Sequence, residues 1–216
     1  MKSLTIRPFA ALLSAAVLAA CGAPVRTDAQ PSPAPAPATT GTILSAGHPW
    51  TEADVEFMSS MIGHHAQAVE MSQLAPSRAS SPAVQRLAAR IINAQQDEIA
   101  AMQLWLADRG QPVPQPGAAM DHGAHHDHGA AMPGMLTPEQ MAQLEAARGD
   151  EFDRLFLSLM IQHHRGAVSM VQRLFSSHGA AQDETVFKFA SDVNVDQITE
   201  IERMQRMLAD LTFGSP

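Results

Sequence analysis

The chain is poor in the residues that most often carry chemistry. It has one cysteine, Cys21, in 216 residues. A single thiol excludes an intrachain disulfide and a multi-thiolate metal centre. It has two lysines, and 14 Lys and Arg stand against 22 Asp and Glu, a formal charge of −8. Such a balance makes the chain a poor candidate for binding nucleic acid or anionic lipid by charge. No apolar run reaches the roughly 20 residues that span a bilayer as a helix. β-branched residues are few and no segment alternates with period two, which argues against strands. Nucleophile elbow, P-loop and dinucleotide fingerprint are all missing.

What is present is a motif that occurs twice. Residues 57–71 read FMSSMIGHHAQAVEM and residues 156–170 read FLSLMIQHHRGAVSM. Between 52–71 and 151–170, eleven of twenty positions are identical. Each copy has a Met three positions before a His pair and another six after it. The likeness continues downstream, where 95–108 matches 197–210 at eight of fourteen positions. The offset grows from 99 to 102, so the intervening loop is three residues longer in the second copy. Each copy reads as two helices joined by a loop, an αα-hairpin.

The first twenty residues have the layout of a secretory signal. Lys2 and Arg7 precede the apolar run 9–20, and Leu18-Ala19-Ala20-Cys21 resembles a bacterial lipobox. On that resemblance Cys21 is the lipidated first residue of an exported protein facing the periplasm or cell exterior, anchored to a membrane through the lipid, against an ordinary cleaved signal with an incidental Cys. Loss of Lys2 and Arg7 takes the charge from −8 to −10. Residues 21–47 are Pro- and Ala-rich and read as a tether, reaching about 3 Å per residue where polyproline-like. The folded part is then 48–214, one domain in size.

Helix signals divide that part. Thr51 with Asp54 forms a capping-box-like start, with Trp50 and Val55 placed as a hydrophobic staple. Asp150 with Asp153 repeats this start in the second copy. Ser81 precedes Pro82 as an N-cap, and Asp183 is its counterpart. Main helices are expected over 51–75, 82–109, 150–176 and 183–211, with a short one from Thr137 to near Gly149. The expected fold is all-α, a four-helix bundle built from two hairpins. Residues 110–135 form the linker between repeats. This Pro- and Gly-rich stretch holds His122, His125, His126 and His128 with Met120, Met132 and Met135. Its composition suggests metal binding, against a solvated linker with incidental histidines.

On a helical wheel Phe57, Met61, His64, His65, Ala68 and Met71 share one broad, core-facing side. Adjacent histidines differ by about 100°, so a pair does not converge on one atom from one helix. Gln95, Glu98, Ile99, Met102 and Leu106 form the inner stripe of the next helix, and Gln197, Glu200, Ile201, Met204 and Leu208 repeat it. A carboxylate turned into a core is costly unless paired. Glu98 and Glu200 are therefore expected to meet histidines or a metal, as a carboxylate often holds the second nitrogen of a ligating His. The simpler alternative is a set of satisfied His–Glu hydrogen bonds with methionines filling gaps.

If metal is bound, thioether with imidazole and no thiolate suits copper, Cu(I) above all, with Cu(II) possible. Zinc would leave the methionines unexplained. A carboxylate-bridged di-iron site needs Glu-x-x-His, and Met61 and Met160 stand where that Glu would be.

Met-x-x-His-His-x-x-Ala-Val-x-Met, followed by Gln-x-x-Glu-Ile-x-x-Met and repeated once, resembles the ferritin-like "domain of unknown function three hundred and five" over about residues 50–211. The resemblance implies a helical bundle in an exported bacterial protein, and some family members are associated with copper binding and tolerance. Carried over by position, the metal residues are Met61, His64, His65, Met71, Met160, His163, His164 and Met170. Met207 departs from the first copy, which has Trp105. The function expected is copper buffering, delivery or tolerance in the cell envelope, without catalysis. The alternatives are a helical module that binds an envelope protein through a fold fixed by its His/Glu core, and a ferritin-like redox enzyme.

Overall fold

In the computed structural model, residues 49–116 and 132–214 are described. Cys21, the tether, Met120 and the four linker histidines lie outside them. Four long helices carry the fold: α1 (Glu52–Gln73), α3 (Pro82–Asp108), α5 (Gly149–Ser176) and α6 (Glu184–Phe213). Two short ones, α2 (Ala75–Arg78) and α4 (Pro138–Ala146), complete the set. The all-α expectation holds, with no sheet among the described residues. One isolated bridge joins Ala79 to Gly149.

Side-chain caps set most helix starts. Thr51 and Thr137 each make a full capping box, with Asp54 and Gln140. Ser81 caps α3 ahead of Pro82, and Asp183 accepts from the amides of Thr185 and Val186. The second repeat differs from expectation at α5. Its N-cap is Arg148, which makes no side-chain cap bond, and Asp153 is engaged elsewhere. The three extra residues of the second copy are taken up largely as helix. α1 stops at Gln73 because Pro76 follows, lacking an N–H and clashing with the preceding turn. The corresponding position in α5 is Phe175, and there the helix continues to Ser176.

α1 packs along α3, α5 along α6, and α1 against α5, so α1 and α5 form the central contact between the two pairs. The buried apolar residues fall into two clusters. One takes Phe57 to Ile62 of α1, Ile99 to Leu106 of α3, Ala167 to Leu174 of α5 and Val186 to Val193 of α6. The other takes Ala68 and Met71 of α1, Val84 to Ile91 of α3, Phe152 to Ile161 of α5 and Met204 of α6. Each paired helix therefore runs antiparallel to its neighbour, as does α1 to α5. Between the clusters every long helix carries buried or half-buried polar residues: His64 and His65, Gln95 and Glu98, His163 and His164, Gln197 and Glu200. The core is two apolar ends joined by a polar waist.

Two carboxylates tie the repeats to each other. Asp54 Oδ1 on α1 accepts from the Ala181 amide, in the loop before α6, at 2.7 Å. Asp153 Oδ2 on α5 accepts from the Ser81 amide, in the loop before α3, at 2.8 Å and from Ser80 Oγ at 2.6 Å. Each repeat thus holds the loop of the other.

Candidate metal centre

All four motif histidines are fully buried. Adjacent positions on a helix diverge by about 100°, and the two members of each pair have separate partners accordingly. His64 and His163, the first of each pair, meet across the α1–α5 contact with ring centroids 3.9 Å apart. The second of each pair turns to the neighbouring helix of its own repeat. His65 Nε2 lies 2.7 Å from Glu98 Oε2, off the line of an ideal hydrogen bond. His164 Nε2 lies 2.8 Å from Glu200 Oε2. Glu200 also takes Arg90, at 3.4 Å. Burial pushes the Glu200 carboxyl up, but His164 and Arg90 more than offset it, and the net shift is downward.

The remaining ring nitrogens are the chemical substance of the site. Nδ1 of His64, His65 and His164 has no hydrogen-bond partner, and neither nitrogen of His163 has one. A buried polar atom without a partner costs about 1–3 kcal/mol, so several together call for an explanation. Burial, reinforced by His65 and His164, lowers the His64 pKa to about 3. Burial, then His64, His164 and His65, push His163 well below the usual imidazole range, and the nearby His64 backbone offsets only part of this. Both rings are therefore neutral near pH 7, the form in which imidazole ligates metal. His64 Nε2 donates to the Pro133 carbonyl at 3.0 Å. Its proton is thereby placed on Nε2, and a lone pair is left on Nδ1.

Pro133 belongs to a strap, residues 132–136, laid against α1 and α5. Gln67 holds it from α1, donating to the Leu136 carbonyl at 3.1 Å and accepting from the Leu136 amide at 2.8 Å. On α5 the strap passes over Gly166, where a Cβ would stand 1.9 Å from the Pro133 oxygen and 2.7 Å from Gly134 Cα. Gly134 has φ +77°, a backbone conformation open to glycine and few other residues. The duplicated motif reads Gly63 and Gln67 in one copy and Gln162 and Gly166 in the other. The interchange makes room for the strap on α5 and a clamp for it on α1. Sequence inspection did not single out Gln67, Pro133 or Gly166. The exchange of Gly and Gln between two otherwise matching motifs was the available signal.

Met61 and Met160 sit one turn before the first His of each pair and are fully buried, as is Met71, while Met170 is 7% exposed. Among the described residues no three His, Cys, Asp or Glu side chains are arranged to hold a metal ion. A centre here would need thioether sulfur beside imidazole nitrogen. The structure brings His64 to His163, His65 to Glu98 and His164 to Glu200. Met61 and Met170 fall in the apolar cluster on one side of the waist, Met71 and Met160 in that on the other.

Residues 54–208 match the family described as a domain of unknown function, DUF305. A crystal structure from Streptomyces coelicolor, of a DUF305 protein described as secreted, is 31% identical. It covers 74% of this chain and 94% of its own, with a TM-score of 0.63. A DUF305 fragment from Deinococcus radiodurans is 29% identical over 75% of this chain and 99% of its own, with a TM-score of 0.62. CopM in its Cu(I)-bound form is 30% identical over 74% and 97%, with a TM-score of 0.56. In its Cu(II)-bound form the match is 31% over 73% and 96%, with a TM-score of 0.58. No curated protein matches the chain.

Proposed function

The chain belongs to the DUF305 family, and from that premise we propose that it is an exported copper-binding protein that buffers or delivers the metal in the cell envelope. The observation that carries this reading is His163, fully buried, with both ring nitrogens unpartnered and its ring against His64. Residues present fit a soft ion. Neutral imidazole nitrogens are free at the waist, and Met61, Met71, Met160 and Met170 supply thioethers from the flanking clusters. This donor set favours Cu(I) over harder cations. Glu98 and Glu200 orient His65 and His164 and raise their basicity as ligands. The protein holds its ion rather than turning over a substrate.

Two αα-hairpins, α1/α3 and α5/α6, form a ferritin-like four-helix bundle whose midline is the binding region. Export through the signal at 1–20 and lipidation at Cys21 put this bundle on a tether at the membrane surface. The description of a relative as secreted supports the export, and the relative solved with Cu(I) and Cu(II) supports the metal. His122, His125, His126 and His128 serve as weaker, outer ligands.

The test is competition for Cu(I) against a chromophoric chelator. A chain lacking 117–131 keeps its tightest site. His163→Ala loses that site, and Glu98→Gln weakens it by about 10–100-fold. If deleting the linker abolishes all binding while His163→Ala changes nothing, the waist is not a metal centre.

A further inference from the structure

Between α3 and α6 lies a cleft of about 400 Å³, lined by Glu98 and Glu200 but by none of the motif histidines. It is lined by polar residues of both repeats, among them Arg90, Gln95, Glu98, Asp196, Gln197 and Glu200. Three carboxylates stand against one guanidinium, a formal balance of −2. Arg90 is spent on Glu200 at 3.4 Å and is half-exposed. Glu98 has no guanidinium beside it; its partner is the His65 ring at 2.7 Å. Asp196 occupies the position that is Ala94 in the first repeat, so one wall adds a carboxylate where the other leaves space.

Gln95 is 2% exposed and Gln197 3%. Both line the cleft, yet neither amide atom of Gln95 has a partner, nor does the Gln197 oxygen. Buried amides in that condition call for a bound polar species. Burial raises the Asp196 pKa, and Glu98, Glu200 and Asp192 raise it further, as expected where negative charge lacks a counterion. Among the described residues no three acidic side chains are arranged to hold a bare ion. The volume leaves room for an ion with its water, and inner-sphere waters would donate to carboxylates and amide oxygens alike.

We propose that the α3–α6 cleft is a site for a hydrated divalent cation, bound through its water by Glu98, Asp196 and Glu200 with the Gln95 and Gln197 amides. Its chemistry is oxygen-based and hard, opposite in kind to the imidazole and thioether donors across the waist. A hard ion that keeps its hydration shell suits such a site, as Mg²⁺ does where few carboxylates reach it. The cleft stands independently of the copper reading.

The probe is Mn²⁺ added to the full chain, read by paramagnetic broadening of glutamine side-chain amide signals in NMR spectra. Gln95 and Gln197 are expected to broaden at Mn²⁺ concentrations that leave Gln172, on the exposed face of α5, sharp. Asp196→Asn should weaken the effect about tenfold. Ala94→Lys, which sets an exposed cation in the cleft without touching the core, should abolish it. Equal broadening of Gln95, Gln197 and Gln172, or full retention of the effect in both variants, overturns the site. A chain that binds Cu(I) but gives no Mn²⁺ effect at Gln95 also overturns it. A chain that gives the Mn²⁺ effect but binds no Cu(I) supports the cleft and removes the copper reading instead.

Discussion

His163 is the residue at which stability and binding oppose one another most directly. Its ring is fully buried and both nitrogens lack partners, so in the metal-free protein it is a penalty of about 1–3 kcal/mol per unmet group. An apolar residue of similar volume removes that penalty. His163→Leu should therefore raise the stability of the metal-free chain by about 1 kcal/mol while removing tight Cu(I) binding. Urea melts in chelator read the first effect and Cu(I) competition the second. A loss of stability above about 2 kcal/mol would mean that the ring makes packing or polar contacts that leucine cannot replace. The inward phase of His64, Glu98 and Glu200 was legible in sequence, because apolar positions three and four residues away fix the buried side of a helix. The pairing of His64 with His163 was not. It depends on how α1 meets α5, and periodicity within one helix carries no information about that.

Among the elements, the strap and the caps behave differently under substitution. Gly-to-Ala in a helix interior normally gains about 1 kcal/mol from propensity. At Gly166 the sign should reverse. The new Cβ would meet the Pro133 oxygen at 1.9 Å, displacing the strap and taking the acceptor from His64. Gly166→Ala is expected to lower stability by about 1–3 kcal/mol and to weaken Cu(I) binding, with thermal melts and competition as readouts. An unchanged melt would mean that the strap yields freely. Helix starts at Thr51, Ser81, Thr137 and Asp183 were readable because a cap and its amide lie within three residues. The role of Asp153 was not, since its partner Ser81 lies 72 residues away. Asp183 adds a pH dependence. Burial raises its pKa, but Arg109 at 2.7 Å, the Val186 amide and the Trp105 indole outweigh this, leaving it below the ordinary 3.8. A folded-state pKa below the unfolded one stabilises fully above the unfolded value and is lost as pH falls through the folded value. Asp183→Asn should cost about 1–3 kcal/mol near neutrality, because the part-buried Arg109 loses its charged partner. It should also remove that residue's share of the stability lost on acidification below about pH 4. If wild type and variant lose stability in parallel from pH 5 to 2, the Arg109 pair does not set the shift.

For the whole molecule, the two repeats make a pseudo-symmetric body with apolar ends and a polar middle. The duplication read from sequence predicted the four long helices. It did not predict α2, which exists because Pro76 breaks the first repeat where Phe175 lets the second continue. Nor did it predict the departure from symmetry at the strap, where one repeat clamps the chain with Gln67 and the other yields to it with Gly166. The described residues contain no helix long and apolar enough to cross a membrane.

The reciprocal ties of Asp54 to Ala181 and Asp153 to Ser81 bear on ancestry. Each half carries a carboxylate that reaches into the other half and a loop that receives one. A single repeat therefore contains both ends of the exchange, as a homodimer that preceded gene fusion would need. Severing the chain between 116 and 132 leaves those ties intact. Residues 49–116 and 132–214, produced as separate polypeptides and mixed, should assemble one to one and elute together on size exclusion. Asp54→Ala with Asp153→Ala should weaken the reassembled pair far more than either change weakens the joined chain. Halves that stay apart would mean that the fusion, and not the crossed carboxylates, keeps the two repeats together.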